Sequence, residues 1–305
     1  MIRKRISKIF KTNHKVTVDF SSVISVTEEA KILTARSIIE SHKRLESNNI
    51  QDYEFKVFSQ WGDDGIIQFL INKVNIPFTT FIEFGVQDYT ESNTRFLLMN
   101  NNWSGFIMDG SADYIESIKK RDYYWRHRLT AKAAFVTSEN INELIQSTGF
   151  HSEVGIYHID IDGNDYWIWK ATTAINPVIV IVEYQSVFGV EKAITVPYKP
   201  DFFRTQEHHS NLYYGASLLA LCDLAEEKGY YFVGCNSAGN NAYFVRKDKI
   251  GDLKPISAQE GYVMSKFREA RDEKGNLLFL DGEERRMFIK GQKVYNTRSQ
   301  QIEIL

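Results

Sequence analysis

The chain has 305 residues, 43% of them hydrophobic, enough for one large domain with appendages and a substantial core. A formal charge of -2 supplies no basic field, which disfavours nucleic acid as the main partner. No run approaches the roughly 18 apolar residues that cross a bilayer, and no apolar signal-peptide core opens the chain, so a cytoplasmic protein is expected. Cys222 and Cys235 lie in apolar segments and read as reduced buried thiols, not as a disulfide framework or a zinc site.

The first fifteen residues carry Arg3, Lys4, Arg5, Lys8, Lys11 and Lys15 with no acid, interleaved with Ile2, Ile6, Ile9 and Phe10. That pattern suits an anionic membrane surface or a partner, and equally a solvated start. Over residues 27–45 apolar positions recur at helical spacing, with Glu28 and Glu29 in the first turn and Lys43 and Arg44 in the last, which predicts a helix in an N-terminal extension spanning 1–55. Gly62-Asp63-Asp64-Gly65 predicts a turn capping a helix over 66–74.

From there to residue 250 strand-like and helix-like segments alternate. Strands are expected at 81–84, 105–108, 129–136, 156–161 and 178–183, and helices at 93–100, 112–120, 141–147 and 166–172. Strands this apolar are covered on both faces, the mark of a parallel sheet. A helix over 217–228 then precedes strands at 230–234 and 242–246, joined by the turn-rich Asn236-Ser237-Ala238-Gly239-Asn240-Asn241, and a hairpin is antiparallel by necessity. The expected fold class is therefore α/β: a three-layer Rossmann-like domain over 56–250 whose seven-stranded, mostly parallel sheet ends in an antiparallel hairpin. Residues 251–305 are charged, with turns at Phe279-Leu280-Asp281-Gly282 and Lys290-Gly291, and read as a lid or a dimer contact.

Candidate site residues gather at the carboxyl ends of the strands, where open α/β sheets bind ligands. Glu83 and Gly85 end the first strand, and glycine lets a ligand approach the backbone. Asp109 and Gly110 end the second; an acid here accepts from two ribose hydroxyls, or caps the next helix together with Ser111. Phe135 and Val136 lie at the end of the third strand and pack on an adenine or in the core. The turn Gly85-Val86-Gln87-Asp88-Tyr89 lacks G-x-G-x-x-G, which argues against a pyrophosphate-binding dinucleotide turn. After the fourth strand, Asp160, Asp162 and Asp165 fall within six positions. Asp160 and Asp162 share one side of an extended chain, a spacing suited to a hard divalent ion such as magnesium, and Glu183 completes that shell or acts as a general base. The alternative is a turn at 162–164 with Asp165 capping the helix. His158 reads as a core histidine. His208 and His209 stand in a loop overhanging the site, where a neutral imidazole can take a hydroxyl proton.

The chain resembles the class I S-adenosylmethionine-dependent methyltransferases of the FkbM-like type over residues 58–246. The resemblance is carried by Ser59-Gln60-Trp61-Gly62-Asp63-Asp64-Gly65-Ile66-Ile67, Phe81-Ile82-Glu83-Phe84-Gly85-Val86, Trp103-Ser104-Gly105-Phe106-Ile107, the segment from His158 to Trp167, and Tyr214-Gly215-Ala216-Ser217-Leu218. The family usually has glycine where Gln87 and Tyr89 stand. The resemblance implies S-adenosylmethionine as cofactor, held by Glu83, Gly85 and Asp109, with Ser59 and Gln60 near its methionine end and Asp160 close to the transferred methyl. It also implies O-methylation of a sugar or other small polar acceptor in surface-glycan or natural-product pathways. Two rivals remain: a metal-dependent glycosyltransferase using Asp160 and Asp162 as its aspartate pair, and a non-catalytic binding protein on the same fold.

Overall fold

Strands with no polar face must be covered on both sides. The computed structural model, which describes residues 20–150, 152–267 and 269–305, does this with helices on either face of a seven-stranded sheet. The basic segment over residues 1–15 lies outside the described residues.

Helix α1 (Phe20–His42) sets Ile32 and Ala35 against Phe58 and Phe96, and its Glu28 pairs with Arg95 at 2.8 Å. Helix α2 (Asp63–Lys73) follows, then β1 (Thr80–Phe84), α3 (Arg95–Asn101), β2 (Ser104–Asp109), α4 (Ala112–Lys119) and α5 (Asp122–Arg126). Next come β3 (Leu129–Ala133), α6 (Ile141–Gln146), β4 (Glu153–Ile159), α7 (Asp165–Ala171) and β5 (Asn176–Glu183). The remaining elements are β6 (Ile194–Thr195), α8 (Arg204–Glu207), α9 (Leu218–Lys228), β7 (Tyr230–Cys235), β8 (Asn241–Arg246), α10 (Ala258–Gly261), α11 (Gly282–Phe288), β9 (Lys293–Asn296) and β10 (Gln301–Ile304).

The large sheet runs β3-β2-β1-β4-β5-β8-β7. Strands β1 to β5 are parallel, and β8 runs antiparallel to both β5 and β7. This is the class I methyltransferase arrangement expected from the element order. Because β1 leads outward to β2 while β4 starts the other half, the order reverses between β1 and β4, and loops leaving those two strands part to form a crevice.

Alternation along each strand divides the core in two. Ile82, Phe84, Met108, Ile159 and Val182 face α6, α7 and α9 through Ile141, Ile168 and Leu221. Phe81, Ile107, Ile156 and Ile181 face α2, α3 and α4 through Ile66, Leu97 and Ile115. Cys235 is buried and Cys222 half-buried, both as free thiols. No helix among the described residues is long and apolar enough to cross a membrane.

Three expectations need correction. The third strand stops at Ala133, not residue 136, because Ala134 turns to donate to the Asp109 carbonyl while the Asn140 side chain brackets Phe135 and Thr137. The first helix begins at Phe20 and ends at His42, which leaves Lys43 and Arg44 beyond it. Residues 251–305 do not stand apart as an appendage: β9 and β10 join β6 in a second, antiparallel sheet. Val187, Ile194, Leu212 and Tyr213 form a further core with Ala270, Ile289 and Val294, joining the insertion after β5 to the C-terminal segment.

Gly85 sits at the reversal point with φ +72, and a Cβ there would lie 1.7 Å from the carbonyl oxygen of Asp160. The glycine therefore serves the approach of β1's end to β4's end, and it also lines the cleft between them. Gly85→Ala should lower the melting temperature sharply, a loss of more than about 2 kcal/mol, whereas Gly110→Ala, whose Cβ would meet only a Phe135 ring carbon at 3.5 Å, should leave it almost unchanged. Thermal unfolding of the two variants side by side checks this.

Candidate active site

The crevice opens into a cleft of about 550 Å³ whose wall includes Gly85, Asp109, Phe135, Asp160, Arg204 and Glu269. A smaller polar recess of about 150 Å³ adjoins it across Gly85, Gln87 and Asp160.

Asp109 is half-buried at the end of β2. Its Oδ2 accepts from the backbone N–H of Gln87 at 2.7 Å and its Oδ1 from that of Ser111 at 2.8 Å. One carboxylate thus ties the β1 loop to the β2 loop and keeps further acceptor capacity on both oxygens at the cleft wall. Helix α4 is capped by Ser111, which accepts from Tyr114, so Asp109 does not serve as the cap. Gly110 and Val136 line the same cleft, Val136 buried, and Phe135 is 42% exposed with its ring 5.4 Å from that of Phe203. Gln87 and Tyr89 take φ +48 and +61. The loop follows a left-handed path without glycine, with Tyr89 fully buried and its hydroxyl 3.0 Å from Thr94 Oγ1.

The acidic loop after β4 is shaped by Asp165 at the start of α7, whose two oxygens accept from Ile161 N and Gly163 N, each at 2.9 Å. Asp162, at φ +55, is exposed and pairs with Arg204 at 2.7 Å. Asp160, Asp162 and Glu183 each bring one carboxylate oxygen within 4.8 Å of the others, the trio expected from the sequence. Burial, then the charge of Asp162, pushes the Asp160 carboxyl up to about 7. Burial also raises Glu183 well above the usual carboxylate range, with Asp160, Asp162 and Asp165 adding to the effect. Such groups are candidates for proton transfer or cation binding.

Glu83 lies 2% exposed on the α2/α3 side of the sheet. Its carboxylate accepts from Ser92 Oγ at 2.6 Å, Asn93 N at 3.0 Å, Thr94 N at 3.3 Å and Thr94 Oγ1, and pairs with His158 Nδ1 at 2.9 Å. Its hydrogen bonds organise the loop before α3, and Glu83 also lines the polar recess. Ser59 is corrected: fully buried, it donates to Asp64 at 2.9 Å and faces neither cavity, whereas Gln60 lines the polar recess. His208 is also misplaced by the sequence reading. Its Nδ1 lies 2.7 Å from Ser210 Oγ and its ring lines neither cavity.

The loop carrying His208 does reach the site, through Arg204 and Asn211. Arg204 donates to Asp162, to Glu269 at 2.8 Å and to the Asn211 carbonyl at 2.7 Å, and its guanidinium lies 4.2 Å above the Tyr214 ring. Burial opposes its charge, but Tyr214, Asp162 and Glu183 more than offset this, and it stays protonated. Neither Arg204 nor Glu269 stands in a motif. The only advance signal was an unabsorbed arginine in a loop facing an acidic cluster.

No protein-family model matches the chain, and no curated protein matches it. Among solved structures the chain is similar to the O-methyltransferase from Bacillus cereus in complex with SAH, at 10% identity over 71% of this chain and 91% of that one, TM-score 0.39. It is also similar to the N-terminal domain of EvdMO1 with SAH bound, at 10% identity over 69% and 94%, TM-score 0.37. A third is an S-adenosylmethionine-dependent methyltransferase from Clostridium acetobutylicum, at 10% identity over 60% and 90%, TM-score 0.38. Scores and identities this low carry no argument about activity.

The Glu83–His158 pair has a pH signature. Burial pulls the imidazole down, yet Glu83 beside it, with Asp160, raises it above its ordinary value. A histidine raised in the folded state contributes stability that is fully present below about 6.5, its unfolded value, and is lost as pH climbs through the folded value. The melting-temperature gap between wild type and His158→Gln should therefore be widest near pH 6 and shrink toward pH 9; a gap independent of pH would show that His158 is neutral throughout.

Proposed function

We propose that this protein is an S-adenosylmethionine-dependent O-methyltransferase acting on a hydroxyl of a small polar or sugar-containing acceptor. The observation that carries the reading is Asp109, a carboxylate fixed by two backbone N–H groups at the mouth of a cleft, with Phe135 beside it. An acid so held suits the two vicinal hydroxyls of a ribose, and an exposed aromatic ring suits the face of an adenine. The left-handed path at Gln87 and Tyr89 supports a working loop in place of a degenerate one.

S-adenosylmethionine bound here supplies an electrophilic methyl group on sulfur. The protein's own task is to bring the acceptor oxygen in line and exclude water. Phe202, Phe203 and Arg204 also line the cleft, an apolar and charged mixture that suits a polyhydroxy acceptor. Asp160 stands beside Gly85 in the same wall, and its carboxylate, raised by burial and by Asp162, is matched to taking a hydroxyl proton near neutral pH. Glu183, one carboxylate oxygen of which lies within 4.8 Å of Asp160 and Asp162, is held protonated more readily still by its burial.

The acidic trio also favours a second reading, sugar transfer from a metal-bound nucleotide-sugar. Calorimetric titration with S-adenosylhomocysteine, with UDP-sugars plus manganese, and with NAD separates the two. Binding of S-adenosylhomocysteine alone is expected, weakened at least tenfold in Asp109→Ala, a loss of about 1.4 kcal/mol. Heat from a UDP-sugar with none from S-adenosylhomocysteine would overturn methyl transfer.

A further inference from the structure

We infer that Asp160, Asp162 and Glu183 form a binding site for one divalent cation of the magnesium or manganese class at the carboxyl ends of β4 and β5. Three carboxylate oxygens within 4.8 Å of one another are the first observation. Acidic clusters alone are common, and most are balanced by lysines, arginines or backbone N–H groups. This one is not. Glu183 is 6% exposed, and its Oε2 is buried with no hydrogen-bond partner. A buried carboxylate left unpaired is costly, and a bound cation or a proton removes that cost.

The donor set suits a hard ion. Arg204 pairs with Asp162 and is shared with Glu269, while among the described residues no cationic side chain pairs with Asp160 or Glu183. Neutral oxygen donors stand close by. Asn241 pairs with Glu183 across the sheet, and its Oδ1 is buried and unpartnered; Asn164 is 3% exposed at the cleft wall, with its own Oδ1 also unpartnered. Carboxylate and amide oxygens with no sulfur or imidazole among them are the donors that magnesium and manganese prefer. Arg204 holds Asp162 by Oδ1, which leaves its second oxygen for the ion.

Binding of the ion stands on these residues alone. Its role rests on the methyl-transfer reading: the ion would hold the acceptor hydroxyl and lower its pKa, the proton would pass to a carboxylate oxygen of Asp160 not engaged by the metal, and the acceptor oxygen would bond the methyl carbon as the carbon–sulfur bond breaks and sulfur leaves as the neutral thioether.

The test is a titration of chelator-stripped full-length protein with Mn²⁺, followed by the electron paramagnetic resonance signal of free Mn²⁺, with no nucleoside present. One ion per chain is expected, displaced by excess Mg²⁺, with at least tenfold weaker binding in Glu183→Gln and in the exposed variant Asp162→Asn. Melting temperatures with and without Mn²⁺ give a second readout. Metal-free Glu183→Gln should melt above metal-free wild type, because a repelled charge has been removed, and should gain nothing from Mn²⁺. Wild type that binds no Mn²⁺, or a Glu183→Gln variant that binds it unchanged, overturns the site. S-adenosylhomocysteine binding measured in chelator separates the outcomes: affinity for it without Mn²⁺ binding removes only the cation, and the converse removes only methyl transfer.

Discussion

The carbonyl oxygen of Asp160 stands where Gly85 lacks a Cβ, and the rest of the site is arranged around that contact. It brings the ends of β1 and β4 together at the one place where the strand order reverses. From there the β1 loop runs outward and is caught by Asp109 through Gln87, while the β4 loop is folded back by Asp165 through Ile161 and Gly163. The two loops diverge from a common point, and the cleft is the space between them. A side chain at residue 85 would push the strand ends apart and loosen both walls together.

The carboxylates near that point divide by what satisfies them. Glu83 takes its hydrogen bonds from the loop before α3 and from His158; Asp64 takes four on one oxygen, from the N–H groups of Val57, Phe58 and Ser59 and from Ser59 Oγ. Asp165 accepts two backbone donors. These acids are architectural, each replacing water's hydrogen bonds with fixed ones. Glu183 has no such compensation, and Asp160 answers chiefly to its burial and then to the charge of Asp162. Unsatisfied groups of this kind survive at sites where another molecule or ion completes them. Asp109 is intermediate, fixed by two donors yet open to the cleft, which is what a ligand-holding acid requires.

The C-terminal segment takes part in the site. Glu269 reaches the cleft wall and shares Arg204 with Asp162, and Arg285 is buried where it donates to the backbone of Ser265 and Phe267. The second sheet and its small core hold the loop carrying Phe202 to Asn211 over the ends of β4 and β5. Acceptor preference on this reading is a property of that added layer, while the cofactor side belongs to the large sheet.

The strands, their parallel winding, the closing hairpin and the acidic trio were legible in the sequence because each is written in local pattern: apolar runs, a turn-rich hairpin, carboxylates two apart. Asp109 was legible for the same reason, an acid at the end of an apolar strand. The roles of Glu83, Ser59 and His208 were not, since whether a polar side chain faces a cleft or a neighbouring loop depends on partners that folding brings from afar: Asn93 and His158 for Glu83, Ser210 for His208. Arg204 and Glu269, 65 positions apart, meet only because the C-terminal segment packs against the insertion after β5. Periodicity and strand-end chemistry determined the sheet and where its ligand edge lies; tertiary packing alone decided which acids there are satisfied and which stay open, because hydrogen-bond satisfaction is a property of neighbours in space.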